Sequence, residues 1–174
     1  MKRGVVLYGA PAVGKSTIAA ELEALGGFVA YRPVKCGRGR TEGYRMVSPQ
    51  ELASIKSGGY VVWEQQRYGS TYVWLGSELT DSAVRGVPVV QLGSPEAVDA
   101  VRSGTPGVSW SVVELRCSRE VVAARVAARG TGDDEDRMRA FDGTPPLRLP
   151  VLSVDTGQVA ASTVAALVER VVHG

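Results

Sequence analysis

The stretch GAPAVGKS at residues 9–16 decides the fold of this 174-residue chain. It fits the pattern G-x-x-x-x-G-K-[ST] at every position, and it lies between a short apolar run, Gly4–Tyr8, and a segment with helical periodicity, Thr17–Leu25. Glycine at both ends lets successive backbone amides turn inward, and the following helix adds the positive end of its dipole. The pattern therefore predicts a loop that binds the phosphates of a nucleoside triphosphate.

Individual residues of this loop have separate expected roles. We expect Lys15 to act catalytically by neutralising charge on the β- and γ-phosphates, and Ser16 to ligate Mg²⁺ through its hydroxyl. Thr17 lies in the first helical turn and is the last of the residues predicted to bind the donor. The predicted cofactors are therefore ATP and Mg²⁺. The predicted donor-binding residues of the loop are Gly9, Ala12, Val13, Gly14, Lys15, Ser16 and Thr17.

Beyond the loop, apolar runs of a few residues alternate with segments of helical periodicity. This alternation is typical of parallel strands covered by crossover helices, so we predict an α/β, three-layer P-loop fold with a mostly parallel sheet of about five core strands. The predicted strands are Gly4–Tyr8, Phe28–Tyr31, Tyr60–Glu64, Thr71–Leu75, Pro88–Leu92, Trp110–Leu115 and Val151–Val154. The predicted helices are Thr17–Leu25, Pro49–Ser57, Glu78–Arg85, Pro95–Arg102, Arg119–Arg129 and Ala160–Val172.

Two segments interrupt the alternation. Residues 32–43 are glycine-rich and basic and are predicted to be a loop, and the short β-rich pieces that follow extend a small insertion over about 32–75. The charged stretch 130–146 is predicted to be a mobile segment or lid. We therefore expect one domain, with a core at 1–31 and 76–174.

Composition excludes several classes of protein. The single histidine is residue 173 and the two cysteines lie far apart, which excludes a zinc site, a disulfide scaffold and histidine-based catalysis. No apolar run approaches the roughly 20 residues of a membrane span, and no signal peptide precedes the glycine loop. We expect a cytoplasmic protein that binds neither membrane nor nucleic acid, as a monomer or homodimer. Basic residues outnumber acidic ones between residues 30 and 70, which suits an anionic ligand, although a solvated basic surface stays open.

The order of features along the chain resembles guanylate kinase, a member of the nucleoside monophosphate kinase group of P-loop proteins. RPVK at 32–35 resembles the family's R-x-x-R segment, and YRMVS at 44–48 resembles its tyrosine and helix start. Trp63-Glu64 with YGSTY at 68–72 resembles its aromatic-acidic strand. RVAARGT at 125–131 is similar to its lid signature R-x-x-x-R-G-T. The resemblance covers about residues 4–139.

This resemblance implies an ATP-dependent kinase that transfers the γ-phosphoryl group to a small acceptor, a nucleoside monophosphate or a nucleotide-like molecule. The insertion at 32–75 would bind the acceptor, and an arginine-rich lid at about 129–145 would close over the donor. The residues implied to bind the acceptor are Arg32, Lys35, Tyr44, Glu64 and Tyr72. The lid residues implied to bind the donor are Arg125 and Arg129, with Arg129 and either Arg139 or Arg137 catalytic.

The chain departs from the family where guanine would be read. The family's acid falls at Val62 or, with a small shift, at Glu64, and Trp74 replaces a polar residue. The strand VVQLG at 89–93 also has no carboxylate. Donors on guanine need a buried acceptor, so these changes argue against GMP specificity and leave Glu64 as the best candidate to read a base.

Two other functions stay open at this point. One is a P-loop kinase of a non-nucleotide hydroxyl acceptor, such as a sugar or an antibiotic, with Glu64 or Asp142 as the base. The other is a non-catalytic guanylate-kinase-like module that binds partner proteins. An acceptor that is already an ionised phosphate needs no base, and the intact phosphate loop opposes a binding module. A nucleotide switch is not expected, because the chain has no N-K-x-D sequence.

Overall fold

The computed structural model describes all 174 residues, which form nine strands and seven helices. The strands are β1 Lys2–Tyr8, β2 Phe28–Ala30, β3 Val34–Cys36, β4 Arg45–Met46, β5 Val61–Arg67, β6 Ser70–Leu75, β7 Val87–Leu92, β8 Val108–Arg116 and β9 Leu152–Asp155. The helices are α1 Lys15–Leu25, α2 Pro49–Gly58, α3 Gly76–Arg85, α4 Pro95–Gly104, α5 Arg119–Arg129, α6 Asp134–Asp142 and α7 Ala161–His173. None of them has the length and apolar composition that crossing a bilayer requires.

Five strands form a wholly parallel sheet in the order β2-β7-β1-β8-β9. The central strand β1 is apolar and fully buried from Val5 to Tyr8, as expected for a parallel sheet covered on both faces. Helices α1, α5 and α7 pack on one face of this large sheet, and α3 and α4 pack on the other. The predicted α/β, three-layer fold with about five core strands is confirmed.

The carboxyl ends of the parallel strands meet at one edge of the large sheet, where ligands bind in open α/β sheets. The phosphate loop leaves β1 there, and Gly93 follows β7 at the same edge. Cys117 follows β8, and Thr156 follows β9. Parallel pairing therefore brings four segments that are distant in sequence around the phosphate loop.

A second, smaller sheet has the strand order β4-β3-β6-β5. Its core is Val34, Val73 and Leu75, packed against α2, and the predicted capping box at Ser48 begins that helix. The prediction of an unbroken loop over residues 32–43 is wrong, because β3 lies within it. This short strand forms through antiparallel pairing with β6, a contact distant in sequence that local glycine content does not reveal.

The charged stretch after α5 contains a helix, α6, which was predicted only as a mobile segment or lid. Acidic residues fill its first turn, where they interact favourably with the helix dipole. At its other end, Asp142 accepts two hydrogen bonds from Arg119 at the start of α5. The helix buries no side chain fully, so it lies on the core without being part of it.

Candidate phosphate-binding cleft

A cleft of about 310 Å³ separates the carboxyl edge of the large sheet from the small sheet. Its walls come from the phosphate loop and α1, the end of β7, the hairpin β5–β6, and the α5–α6 region. The fold therefore brings residues predicted to bind a triphosphate donor, such as Lys15 and Ser16, opposite Arg32, Tyr44 and Tyr72 of the predicted acceptor side.

The phosphate loop adopts a backbone that depends on glycine and is braced from outside the cleft. The φ angles of Gly9 and Gly14 are +155° and +103°. Thr156 donates its hydroxyl to the Val13 carbonyl at 2.6 Å, and Arg125 donates to the Ala12 carbonyl at 3.2 Å. Arg125 was predicted to bind the donor as a lid residue. It does not line the cleft, and in this structure it supports the phosphate loop instead.

Lys15 has no carboxylate partner. Its Nζ donates to the carbonyls of Gly9 and Ala10 at 2.6 and 2.7 Å, within its own loop. Burial, together with the positive charges of Arg67 and Arg129, lowers the pKa of Lys15 to about 7. The positive charge around Lys15 is therefore not balanced by a carboxylate, and the phosphates of a nucleotide would balance it.

Ser16 is oriented by a neutral side chain. Its hydroxyl donates to Gln91 Oε1 at 3.0 Å, which leaves the oxygen lone pairs free for a cation. No cluster of three or more His, Cys, Asp or Glu side chains could hold a metal. The Ser16 hydroxyl fits a site in which Mg²⁺ would be held by one protein oxygen and by phosphate oxygens. Mg²⁺ is usually bound with few protein ligands together with the phosphates of its substrate. Thr17 also lines the cleft.

The predicted acceptor residues divide between the cleft and its support. Arg32, Tyr44 and Tyr72 line the cleft, whereas Lys35 does not. Lys35 is only 2% exposed, donates to the Arg40 carbonyl at 2.7 Å, and has its ammonium 5.3 and 5.4 Å from the ring centres of Tyr44 and Tyr72. In this structure Lys35 therefore contacts the two tyrosine rings but does not line the cleft.

Glu64 also lies outside the cleft. Its carboxylate forms a salt bridge of 2.7 Å with Lys56 of α2. In the hairpin, Glu64 lies opposite the buried Val73, and Gln65 lies opposite Tyr72. Residues opposite one another share a face of the sheet, so Gln65 takes the position facing the cleft and Glu64 points toward α2.

The arginines of the lid region have different surroundings. Arg129 and Arg137 line the cleft. Burial lowers the pKa of Arg129, with Arg137 and Arg40 adding to the effect, whereas a hydrogen bond to Asp133 raises the pKa of Arg137. Arg139 is 74% exposed, pairs with Asp136 at 2.8 Å, and lies outside the main cleft. The arrangement favours Arg137 over Arg139 as the second lid arginine.

Several residues that line the cleft were not predicted as site residues, among them Gln65, Arg67 and Gln91. Gln91 has the clearest signal in the sequence, since it is polar and lies at the end of an apolar strand next to β1. Arg67 has no such signal. Its position depends on the register and turn of the β5–β6 hairpin.

Comparisons with known proteins agree with this geometry. No protein-family model matches the chain. Over 137 residues it is 34% identical to the ribose 1,5-bisphosphate phosphokinase PhnN of Laribacter hongkongensis (strain HLHK9), covering 75% of this chain and 31% of that relative. The chain thus spans 31% of the length of the curated relative that it matches.

Solved structures with a similar fold include kinases. The guanylate kinase of Anaplasma phagocytophilum matches with a TM-score of 0.64 and 14% identity, over 98% of this chain and 84% of that one. A gluconokinase of Sinorhizobium meliloti 1021 matches with a TM-score of 0.57 and 18% identity, over 98% of this chain and 94% of that one. The chain therefore shares its fold with these two kinases.

Proposed function

We propose, from the premise that this chain has the guanylate kinase-like P-loop kinase fold, that it transfers the γ-phosphoryl group of ATP to a small acceptor bearing ionised phosphate groups. The phosphate loop would bind the donor, and the small sheet would bind the acceptor across the cleft. Transfer through a loose, in-line transition state needs positioning and charge neutralisation more than covalent help from the protein.

The observation that carries this proposal is the absence of a free carboxylate in the cleft. A hydroxyl acceptor needs a base, but Glu64 is paired with Lys56, and Asp142 is paired with Arg119 at 3.0 Å. The two carboxylates that do line the cleft are Glu23 and Glu42. Glu23 accepts a hydrogen bond from the Ala30 amide at 3.1 Å, and Glu42 forms a salt bridge with Arg40 at 3.9 Å, so each of the two has a partner. An ionised phosphate oxygen attacks without a base.

The charge of the cleft supports an acceptor with more than one phosphate. Arg32, Arg40 and Arg67 lie on the small-sheet side, in addition to the cations around the phosphate loop. The named acceptor of the relative, ribose 1,5-bisphosphate, carries two phosphates. We therefore propose a pentose bisphosphate of this kind as the preferred acceptor.

A nucleoside monophosphate is the second candidate, because the fold also occurs in a guanylate kinase. Recognition of guanine would need an acceptor for its N–H donors. The small-sheet face of the cleft presents the mostly buried Trp74 and the neutral Gln65, whose one amide oxygen accepts more weakly than the two charged oxygens of a carboxylate. This surface supports a sugar phosphate over a guanine nucleotide.

Within this function, the residues of the chain would divide the work by position. Lys15, Arg129 and Arg137 would bind and orient the phosphates, and Ser16 would hold Mg²⁺, whose charge neutralises the phosphate oxygens when it is bound. Arg32 and the tyrosine pair Tyr44 and Tyr72 would hold the acceptor.

A panel of acceptors tests the proposal. ADP release from Mg-ATP should be fastest with ribose 1,5-bisphosphate, slower with ribose 5-phosphate or GMP, and negligible with gluconate, with the product identified by phosphorus NMR. Fastest turnover with GMP would establish the second candidate. Turnover with gluconate alone would refute the phosphate acceptor, and silence across the panel despite ATP binding would refute the kinase.

Binding of Mg-ATP is expected to be linked to protonation of Lys15. In the free protein the pKa of Lys15 is about 7, and the phosphates should raise it, so binding at pH 8 takes up close to one proton and affinity falls as the pH rises above about 7. Below pH 6 the lysine is charged in both states and the uptake disappears. Calorimetry in buffers of different ionisation enthalpy measures it, and Lys15→Arg, which stays charged, should take up none.

A further inference from the structure

One cationic side chain of the small sheet crosses to the donor side of the cleft. Arg67 is the last residue of β5, and it pairs with Ser70 across a two-residue turn. Both turn residues, Tyr68 and Gly69, have positive φ angles, of 50° and 67°, as is typical of the tight type I′ turn. Such a turn fixes the backbone at Arg67 and with it the direction of the Cα–Cβ bond.

The Arg67 guanidinium lies between the two halves of the site. Its Nη1 is 3.5 Å from the point that a Cβ on Gly93 would occupy, and the Gly9 carbonyl oxygen is 3.7 Å from the same point. Gly93 follows β7 at the carboxyl edge, and Gly9 begins the phosphate loop. An arginine from the acceptor side therefore reaches the place where the loop would present the end of the triphosphate.

Arg67 has no partner in the protein. It takes part in none of the salt bridges and donates no side-chain hydrogen bond, although it is half-buried in the cleft beside Lys15. Arg32 and Arg129 of the cleft also have no partner, whereas Arg137 pairs with Asp133 at 2.7 Å. A half-buried cation without a partner is stabilised when an anion binds beside it.

The neighbouring residue links this position to the lid. The ring of Tyr68 lies 5.1 Å from the guanidinium carbon of Arg137 in α6, within cation–π range. The Tyr68 hydroxyl is buried and has no hydrogen-bond partner. The tip of the hairpin thus contacts the lid while Arg67 faces the phosphate loop, so the hairpin and lid are held together around the transfer point.

We propose that Arg67 is a catalytic residue, which binds the phosphoryl group while it passes from donor to acceptor. The assignment rests on the proposed function. An oxygen of the acceptor phosphate bonds to the γ-phosphorus as the bond from that phosphorus to the β,γ-bridging oxygen breaks, and the electron pair stays on the ADP oxygen. No proton moves. Charge spreads over the three equatorial oxygens, and a guanidinium can bind two of them at once.

The test compares ground-state and transition-state binding. Arg67→Ala should lower kcat by about a hundredfold or more while the Kd for Mg-ADP stays within about threefold of the wild-type value. Fluoroaluminate imitates the phosphoryl group during transfer. The affinity of Arg67→Ala for Mg-ADP with fluoroaluminate should therefore fall by about the same factor as its kcat. Added guanidinium ion should restore part of the activity of Arg67→Ala and none of that of Lys15→Met.

The control is Arg102→Ala, because Arg102 is exposed in the last turn of α4 and pairs with nothing. Arg102→Ala should change neither kcat nor the affinity for Mg-ADP with fluoroaluminate. A kcat of Arg67→Ala within about threefold of wild type, or an equal loss of affinity for Mg-ADP alone, would overturn the assignment. If the wild type binds Mg-ADP but phosphorylates no acceptor, the proposed function fails, and the fluoroaluminate comparison still decides on Arg67.

Discussion

Lys15→Met is expected to reduce phosphoryl transfer by at least about a hundredfold, up to a thousandfold, at saturating ATP. Lys15 is the cation of the phosphate loop, and it binds only carbonyls of its own loop in the free protein, at 2.6 and 2.7 Å. Its charge is therefore available to the phosphates without breaking an ion pair. Methionine keeps the length of the side chain and loses the charge.

Measurements of kcat and KM for the best acceptor check this expectation. Circular dichroism and thermal unfolding should show that Lys15→Met keeps the fold, because methionine suits a buried position. Lys15→Arg serves as the charge-retaining comparison, and it should recover only part of the rate, since its planar fork does not reproduce a point charge. Turnover of Lys15→Met within about tenfold of wild type would contradict the role of Lys15.

The features that could be predicted from the sequence are local ones. The phosphate loop is a contiguous pattern, and its glycines mark positions where the backbone needs a positive φ angle. Gly9 and Gly14 do have positive φ angles. The capping box at Ser48 and Glu51 is similarly contained within one turn of helix. Alternation of apolar runs and helical segments was enough to predict the layers of the large sheet.

The acceptor side could not be predicted in this way, because its geometry depends on strand register. Alternate residues of a strand face opposite sides, so Glu64 and Gln65 exchange places with a shift of one residue. A register irregularity between Val61 and Trp63 precedes Glu64 and Gln65, and the local sequence does not predict it. The resemblance indicated the correct strand, and pairing with Val73 and Tyr72 decides which side chain faces the cleft.

Lys35 illustrates a second limit. A lysine in a basic, glycine-rich segment suggests a phosphate ligand, but pairing of β3 with β6 places Lys35 directly opposite Tyr72. The Arg40 carbonyl and the rings of Tyr44 and Tyr72 then surround the ammonium, which is buried. Whether a cation faces a ligand or supports those that do depends on contacts distant in sequence.

Gly9→Ala is expected to weaken both nucleotide binding and the fold. A Cβ at residue 9 would lie 2.5 Å from the Leu115 carbonyl oxygen and 2.8 Å from Val13 Cγ2, and the φ of +155° is itself unfavourable for alanine. Val13 could move only by deforming the loop. Leu115 could move only by disturbing β8, which pairs with both β1 and β9.

Overpacking of this kind costs about 1–3 kcal/mol, which lowers the Tm of a domain of this size by roughly 2–12 °C. Affinity for Mg-ATP should fall at least about tenfold, because the amides that bind phosphate shift with the loop. Calorimetry and thermal unfolding measure the two effects. Gly107→Ala is the matched control, because Gly107 has no atom within 4 Å of its Cβ position and should change stability by less than about 0.5 kcal/mol. Wild-type affinity in Gly9→Ala would mean that the loop rearranges freely, and the close approach of Gly9 to β8 would then not determine how the phosphates are bound.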